Sequence, residues 1–357
     1  FTDYRFQFNI AQSDFEFKIY TGINDWNTKV DFLYQPNQRN TIRFGTNYTY
    51  HKFIPGNATG RSGEVEFAPD EVYTQYSNEG ALYFSNDIEL SDEIKAHLGL
   101  RYSSFQHKGN ITFREYIKSD LTGENNNYRN IEPRASLRYR INTNNSIKMA
   151  FTQNYQYIHL ASLSSLSLPA DLWVPSSNDI KPKFSTQYAL GYFKNFNENM
   201  YETSVEAYYK EITNLIEYKE GVLPEDNTNT NSDDAFVFGD GDSYGVELLI
   251  KKNKGKTTGW IGYTLSKTTK YFDDVNNGNP FPAKYDRRHD LSITASHKLN
   301  DKWTLSTVFV YATGNSITLP TERYVIGGDV YTEYTSRNGY KMPPYHRLDI
   351  GATFKPK

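Results

Sequence analysis

Between Arg288 and Ala312 the chain alternates polar and apolar positions with a period of two, interrupted once. In the first arm His289, Leu291, Ile293, Ala295, His297 and Leu299 share one face, and Arg288, Asp290, Ser292, Thr294, Ser296 and Lys298 share the other. After Asn300, Asp301 and Lys302, a second arm sets Trp303, Leu305, Thr307, Phe309 and Tyr311 against Thr304, Ser306, Val308, Val310 and Ala312. Side chains of an extended strand alternate between its faces, so the pattern predicts an antiparallel hairpin with one apolar side. Each arm has about ten residues, enough to carry a tilted strand across a bilayer core.

The unit recurs. Short connections rich in Asn, Gly, Asp and Pro fall at 36–40, 91–93, 142–146, 197–199 and 252–256, each between two alternating runs. These residue types tolerate tight-turn dihedrals. Ile94, Ala96, Leu98, Leu100 and Tyr102 alternate with Lys95, His97, Gly99 and Arg101; Tyr244, Val246, Leu248 and Ile250 alternate with Gly245, Glu247, Leu249 and Lys251. Much longer connections separate the hairpins, at roughly 51–78, 106–129, 159–184, 213–243, 271–287 and 313–344. A compact soluble domain seldom holds even one structureless loop beyond about 12 to 15 residues. Tight turns alternating with long loops fit an outer-membrane barrel, with short turns in the periplasm and long loops outside the cell. The expected fold is therefore all-β, a transmembrane antiparallel β-barrel with about 14 to 16 strands in residues 1–357. Aromatics near the turns (Phe196, Tyr201, Trp303) and near the loops (Tyr50, Tyr157, Tyr209, Tyr271, Tyr311) predict two interfacial girdles. Leu291, Ile293, Leu305 and Phe309 are expected to face lipid.

Composition fits this picture. The 357 residues include 30 Tyr and 22 Phe, yet the mean hydropathy is -0.72. No run of about 18 uncharged apolar residues occurs, which excludes a membrane-spanning helix; a barrel needs apolar residues only at alternate positions. The absence of Cys removes disulfides, thiolate metal sites and thiol nucleophiles. Basic residues number 39 and acidic ones 42, well mixed, so no basic footprint points to nucleic acid. Barrels with loops this long are usually the plugged ones of about 22 strands, and the chain is expected to be about two thirds of one, continuing beyond both ends.

Several stretches together resemble the C-terminal barrel of TonB-dependent outer-membrane receptors, in the branch abundant in Bacteroidota that carries an N-terminal carboxypeptidase-like regulatory domain. They are IEPRASLRYR (131–140), LPADLWVPSS (168–177), DIKPKFSTQYALGYF (179–193), SYGVELLIKK (243–252), TGWIGYTLSKT (258–268), PAKYDRRHDL (282–291) and PPYHRLDIGATF (343–354). The resemblance covers roughly 80–357 and is weaker over 1–80. It implies a 22-stranded barrel, a plug and last strands outside this chain, and energised import of a scarce ligand across the outer membrane of a Gram-negative bacterium. The implied partners are outer-membrane lipid, TonB through an absent N-terminal region, a small-molecule, peptide or glycan cargo, and a lipoprotein lid. A passive diffusion porin and a surface adhesin are the alternatives.

Candidate chemistry is sparse. Seven His residues are scattered without metal-ligand spacing, with His97 on the polar face of its strand and His297 on an apolar one. Acidic loop clusters at Asp233 and Asp234, Asp240 and Asp242, and Asp273 and Asp274 with Asn276 and Asn277 offer hard oxygen ligands to calcium, but the bidentate Glu of a full calcium loop is missing. A solvated loop is the plainer reading, and no other cofactor is expected. Tyr285, Asp286, Arg287 and Arg288, where a long loop re-enters the wall, read as a ligand-facing rim or, preferably, as a structural motif in which Arg287 and Arg288 pair with carboxylates on neighbouring strands and pin the loop. Asp171 and Trp173 are further ligand-contact candidates. Ser162, Ser164, Ser165 and Ser167 lack a nucleophile elbow and a placed His, so no enzyme is expected.

Overall fold

The computed structural model describes residues 1–12, 15–62, 65–67, 74–110, 126–161, 172–220, 235–327 and 329–356. Fourteen wall strands follow one another in a single antiparallel meander: Thr2–Gln12, Phe15–Asn37, Asn40–Ser62, Gln75–Glu89, Ile94–Asn110, Asn126–Asn142, Asn145–Gln156, Lys183–Phe196, Tyr201–Tyr218, Phe236–Lys252, Thr257–Tyr271, His289–Lys298, Trp303–Ala312 and Tyr345–Phe354. Val65–Phe67 and Phe281–Pro282 extend it at the rim, giving a 16-stranded sheet. Among the described residues the ladder has two free edges, Thr2–Gln12 and Tyr345–Phe354.

Rows of paired residues carry the sequence alternation around the wall. Leu137, Met149, Leu190, Ala207, Val246 and Leu265 stand opposite one another in turn. So do Ile250, Ile261, Ile293, Phe309 and Leu348. These rows are solvent-accessible rather than packed, with Leu190 at 54% and Leu348 at 59% exposure. On the opposite face run Asp87, His97 and Ser136, and further along Gln187, Lys210, Ser243 and Thr268. The wall is thus one sheet thick, apolar on one side and polar on the other, a division that suits lipid outside and water inside. Leu291, Ile293, Leu305 and Phe309 share the apolar face, and none is buried.

Large aromatic rings on the polar face lie down over neighbouring glycines. A Cβ at Gly245 would stand 2.9 Å from the Tyr208 ring, one at Gly191 2.9 Å from Phe193, and one at Gly262 3.2 Å from Trp260. The rings cover exposed backbone in this way.

The tight turns gather at one end, and a polar side chain closes most of them. Asn37, Asn142 and Asn300 each accept a backbone N–H two residues on, at 2.9 Å. Ser91 does the same for Glu93 at 3.2 Å and for Ile94 at 3.1 Å. The turn at Asn197, Glu198 and Asn199 holds three successive residues at positive φ (52, 54 and 60°). At this end Trp303 packs on Phe354 (4.9 Å) and Phe196 stacks on Tyr201 (5.0 Å). At the other end Phe1, Trp26, Tyr50 and Tyr76 form a run of rings 5.2, 5.6 and 6.0 Å apart.

Two expectations are corrected. The long connections are not structureless, because strands run on beyond about ten residues: Asn40–Ser62 has 23 and Tyr201–Tyr218 has 18. Small ribbons form above them, Ile158–Ala161 with Leu172–Pro175 and Pro320–Ile326 with Asp329–Tyr334. Backbone N–H and C=O groups still need partners there, and these segments meet that need by continuing the ladder or pairing in ribbons. Tyr157, expected in a girdle, is instead 3% exposed and turned over the polar face. The strand ends at Gln156, and the alternation no longer fixes the next side chain.

Candidate functional site

The polar face at the loop end carries an alternating chain of charges across five consecutive strands. Asp25 and His51 stand opposite each other, as do Arg101 and Glu132, and Glu79 and Arg134 complete the set on the same side. His51 Nδ1 lies 2.7 Å from Asp25, and its Nε2 3.8 Å from Glu79. Arg101 lies 3.5 Å from Glu79 and 3.6 Å from Glu132, which also has Arg134 at 3.6 Å. Period-two alternation in each strand is what delivers these six residues to one surface.

A neutral hydrogen-bond relay leads into this network. Asn130 Nδ2 donates to Tyr157 Oη (2.9 Å), Tyr157 and Ser103 share a bond of 2.7 Å, and Ser103 Oγ donates to Glu132 (2.6 Å). Because Ser103 spends its proton on the carboxylate, the Tyr157 hydroxyl must be the donor in the middle bond. Ser103 and Glu132 are buried, and the Tyr157 ring stacks in parallel on Phe105 at 4.9 Å.

The ribbon Ile158–Ala161 and Leu172–Pro175 lies over the same face. Ala161 and Val174 pack with Ile180, Ile216, Tyr218 and Phe236, and Trp173 meets Tyr4 edge-on at 6.1 Å. The ribbon therefore reaches from the Tyr201–Tyr218 strand to the Thr2–Gln12 strand. Two buried histidines sit near these coverings: His107 with Ser77 at 3.1 Å, and His159 with Ser176 at 3.3 Å. Desolvation pushes both down to about 4, with Lys183 adding repulsion at His159.

The residues singled out in the sequence are dispersed around this region. Trp173 is half-buried, with an indole N–H that has no hydrogen-bond partner among the described residues; Asp171 lies outside the described residues. Tyr285 is 62% exposed beneath the Lys284 ammonium (5.4 Å). Arg287 donates to Asn315 (3.3 Å) and lies 4.0 Å from Asp290 of its own segment, while Arg288 forms no ion pair among the described residues. The loop pin is instead Asp286, 5% exposed, which accepts the Thr268 N–H at 2.8 Å and holds Lys341 at 3.3 Å. A short carboxylate reaches a backbone donor that a long guanidinium cannot replace.

The aspartates considered for calcium do other work. Asp240 accepts the Asn214 N–H (3.3 Å) and Asp242 the Tyr271 hydroxyl (2.5 Å), while Asp273 and Asp274 are exposed. Asp233 and Asp234 lie outside the described residues. Among the described residues no three His, Asp or Glu side chains converge on a metal position. The six-residue network was missed in the sequence. Its signal was there in polar residues at alternate positions near the loop ends of successive strands, with Glu132 and Arg134 inside IEPRASLRYR.

Comparison with known proteins matches the model of the TonB dependent receptor-like β-barrel over residues 1–357. No curated protein matches the chain. Among solved structures, the FrpB iron transporter from Neisseria meningitidis aligns with a TM-score of 0.62 at 12% identity, over 96% of this chain and 52% of its own. The ferric yersiniabactin uptake receptor FyuA from Yersinia pestis gives 0.61 at 13%, over 99% and 50%. The ferripyoverdine receptor of the outer membrane of Pseudomonas aeruginosa gives 0.62 at 13%, over 99% and 47%. The chain thus spans about half the length of these structures, and their likeness establishes the fold. With the family model matched along its whole length, the chain belongs to the β-barrel family of TonB-dependent receptors.

Proposed function

We propose that the chain is the barrel portion of a receptor that takes up a scarce ligand across the outer membrane with energy supplied through TonB. Family membership over the entire chain is the observation that carries this reading. In it the apolar rows, with Leu291, Ile293, Leu305 and Phe309, face lipid, the polar face lines the lumen, and the tight turns lie in the periplasm. The network from Asp25 to Arg134 then stands at the extracellular mouth. Relatives of this fold include a transporter described for iron and receptors described for ferric yersiniabactin and ferripyoverdine; a metal chelate is accordingly the first cargo class to test. The motifs from 131 to 354 favour the branch with an N-terminal regulatory domain, with a lipoprotein lid as a partner of the whole receptor.

Growth on a limiting chelate by a strain carrying the natural full-length gene tests the proposal. Uptake should vanish when tonB is deleted. Uptake persisting without TonB, together with open conductance in planar bilayers, would favour a diffusion porin and overturn it. Attachment lost with the loops while growth on every chelate is unchanged would favour an adhesin.

A further inference from the structure

One hydrogen-bonded row crosses the polar face with its charges sorted by sign. Lys95 stands opposite Arg138, and Arg138 opposite Lys148. Past Gly191 the row continues with Glu206 opposite Glu247, then Thr264 and Asp290. Lys95 follows the tight turn at 91–93 and Asp290 enters its strand at the loop end, so the row climbs from a cationic foot to an acidic head. Like charges directly opposite each other on adjacent strands are unfavourable, and this row sets them together at both poles. Lys95 has a partner in Glu89; Arg138, Lys148, Glu206 and Glu247 form no ion pair among the described residues. Elsewhere the same face matches its charges within the chain, Lys29 with Asp31 (3.0 Å), Arg43 with Asp87, and Lys251 with Glu202 (3.5 Å).

Beside Glu247, toward the turns, the polar face also carries Leu249, Trp260 and Val308, all three exposed. Trp260 and Val308 both stand opposite Thr294, and the Trp260 ring lies beside Gly262, which is opposite Leu249. The interior of an open channel is polar. A contiguous apolar patch rimmed by charge marks instead a surface that another folded segment covers. Counter-ions or a small anion would answer the cationic foot, but they would neither answer the acidic head nor dry the patch.

We propose that the segment of the whole receptor that fills this lumen is seated in one orientation by charge. Its acidic side lies against Lys95, Arg138 and Lys148 near the turns, its basic side against Glu206 and Glu247, and its apolar contact on Leu249, Trp260 and Val308. This seat rests on the reading of the chain as the barrel portion of a longer receptor; the chain spans about half the length of the structures it aligns with. Apolar contact supplies burial, whereas complementary charge acts chiefly on register and choice of partner. Turning the segment over would bring acid to acid and base to base, so a single seating survives.

The test uses the full-length protein folded in outer-membrane vesicles and treated with a carbodiimide, which joins an amine to a carboxylate in direct contact. Mass spectrometry should find Lys148 joined to Asp or Glu outside residues 1–357, and Glu206 or Glu247 joined to Lys outside them. Lys267, on the apolar face opposite Tyr244, should be joined to neither. In planar bilayers the wild type should stay closed, while R138E/K148E, which sets like charges across the seat, should open about tenfold more often. The charge-preserving R138K/K148R and the lipid-side K267Q should stay closed, and heat-dependent gel mobility verifies that each variant is folded. Both readouts work without TonB, so uptake kept or lost on deleting tonB bears on the proposed function and not on the seat. Lys148 links confined to residues 1–357, a wild-type pore that stands open, or folded R138E/K148E as closed as wild type overturns it.

Discussion

Lowering the pH from 7 to 4 should open the covered mouth of the polar face before it disturbs the wall. His107 and His159 are buried against Ser77 and Ser176, and burial holds each near 4, below its ordinary value of 6.5. A depressed folded-state value means that the neutral ring is the form the fold accepts. The stability it contributes is complete above about 6.5 and drains away as the pH falls toward 4. By linkage each histidine then withdraws roughly 3 kcal/mol at pH 4, enough to raise local opening by more than about a hundredfold. Hydrogen exchange read by mass spectrometry, corrected for intrinsic rates, should show lost protection in peptides covering 101–110 and 157–161. The hairpin 289–312 should hold. A variant carrying His107→Asn and His159→Gln cannot acquire these charges and should show a flat profile. Equal protection at pH 7 and 4 in the wild type, or the same acid loosening in that variant, would refute the reasoning.

Two further outcomes follow from packing. Gly245→Val should reduce the folded fraction, since even the first added carbon meets the Leu265 carbonyl oxygen at 2.8 Å and the Tyr208 ring at 2.9 Å; overpacking of this kind costs about 1–3 kcal/mol, visible as a lower temperature of the heat-dependent gel shift. Asp286→Ala should leave the wall intact but free the loop it pins, because the half-buried Thr268 N–H loses its acceptor at a cost of about 1 kcal/mol. Faster protease cleavage between 272 and 288 would register it, and cleavage at the wild-type rate would contradict it.

The wall was legible in the sequence because period-two alternation, turn residues and spacing all express one geometry. Ile293 and Phe309, assigned to the same face from the pattern alone, stand directly opposite each other. What lay beyond the pattern depends on contacts between segments far apart in the chain. Nothing local tells that Tyr157 turns inward onto Phe105, or that Trp173 reaches Tyr4 across the mouth. The re-entry motif failed differently. Its arginines drew notice through charge, whereas the residue that pins the loop is the short Asp286 between Tyr285 and Arg287, whose role depends on a backbone donor invisible in sequence.

The network at the mouth admits a sharper question, whether its charges act as a unit. Arg101 serves two carboxylates, Glu79 and Glu132, and Glu132 in turn serves two arginines and Ser103. Arg101→Met therefore leaves two carboxylates short of a partner. Glu132→Gln keeps an acceptor for Ser103 and leaves Arg101 still facing Glu79, so it should be the milder change. Arg101 is only 23% exposed and Glu132 4%, yet water reaches the guanidinium side, which lowers the expected loss below the 3–5 kcal/mol of a fully buried pair. A double-mutant cycle should give a coupling of about 1–2 kcal/mol. Strictly additive single effects would mean that the six groups are separate solvated charges sharing a surface, and the mouth would then hold its shape through Phe105, Tyr157 and the ribbon alone.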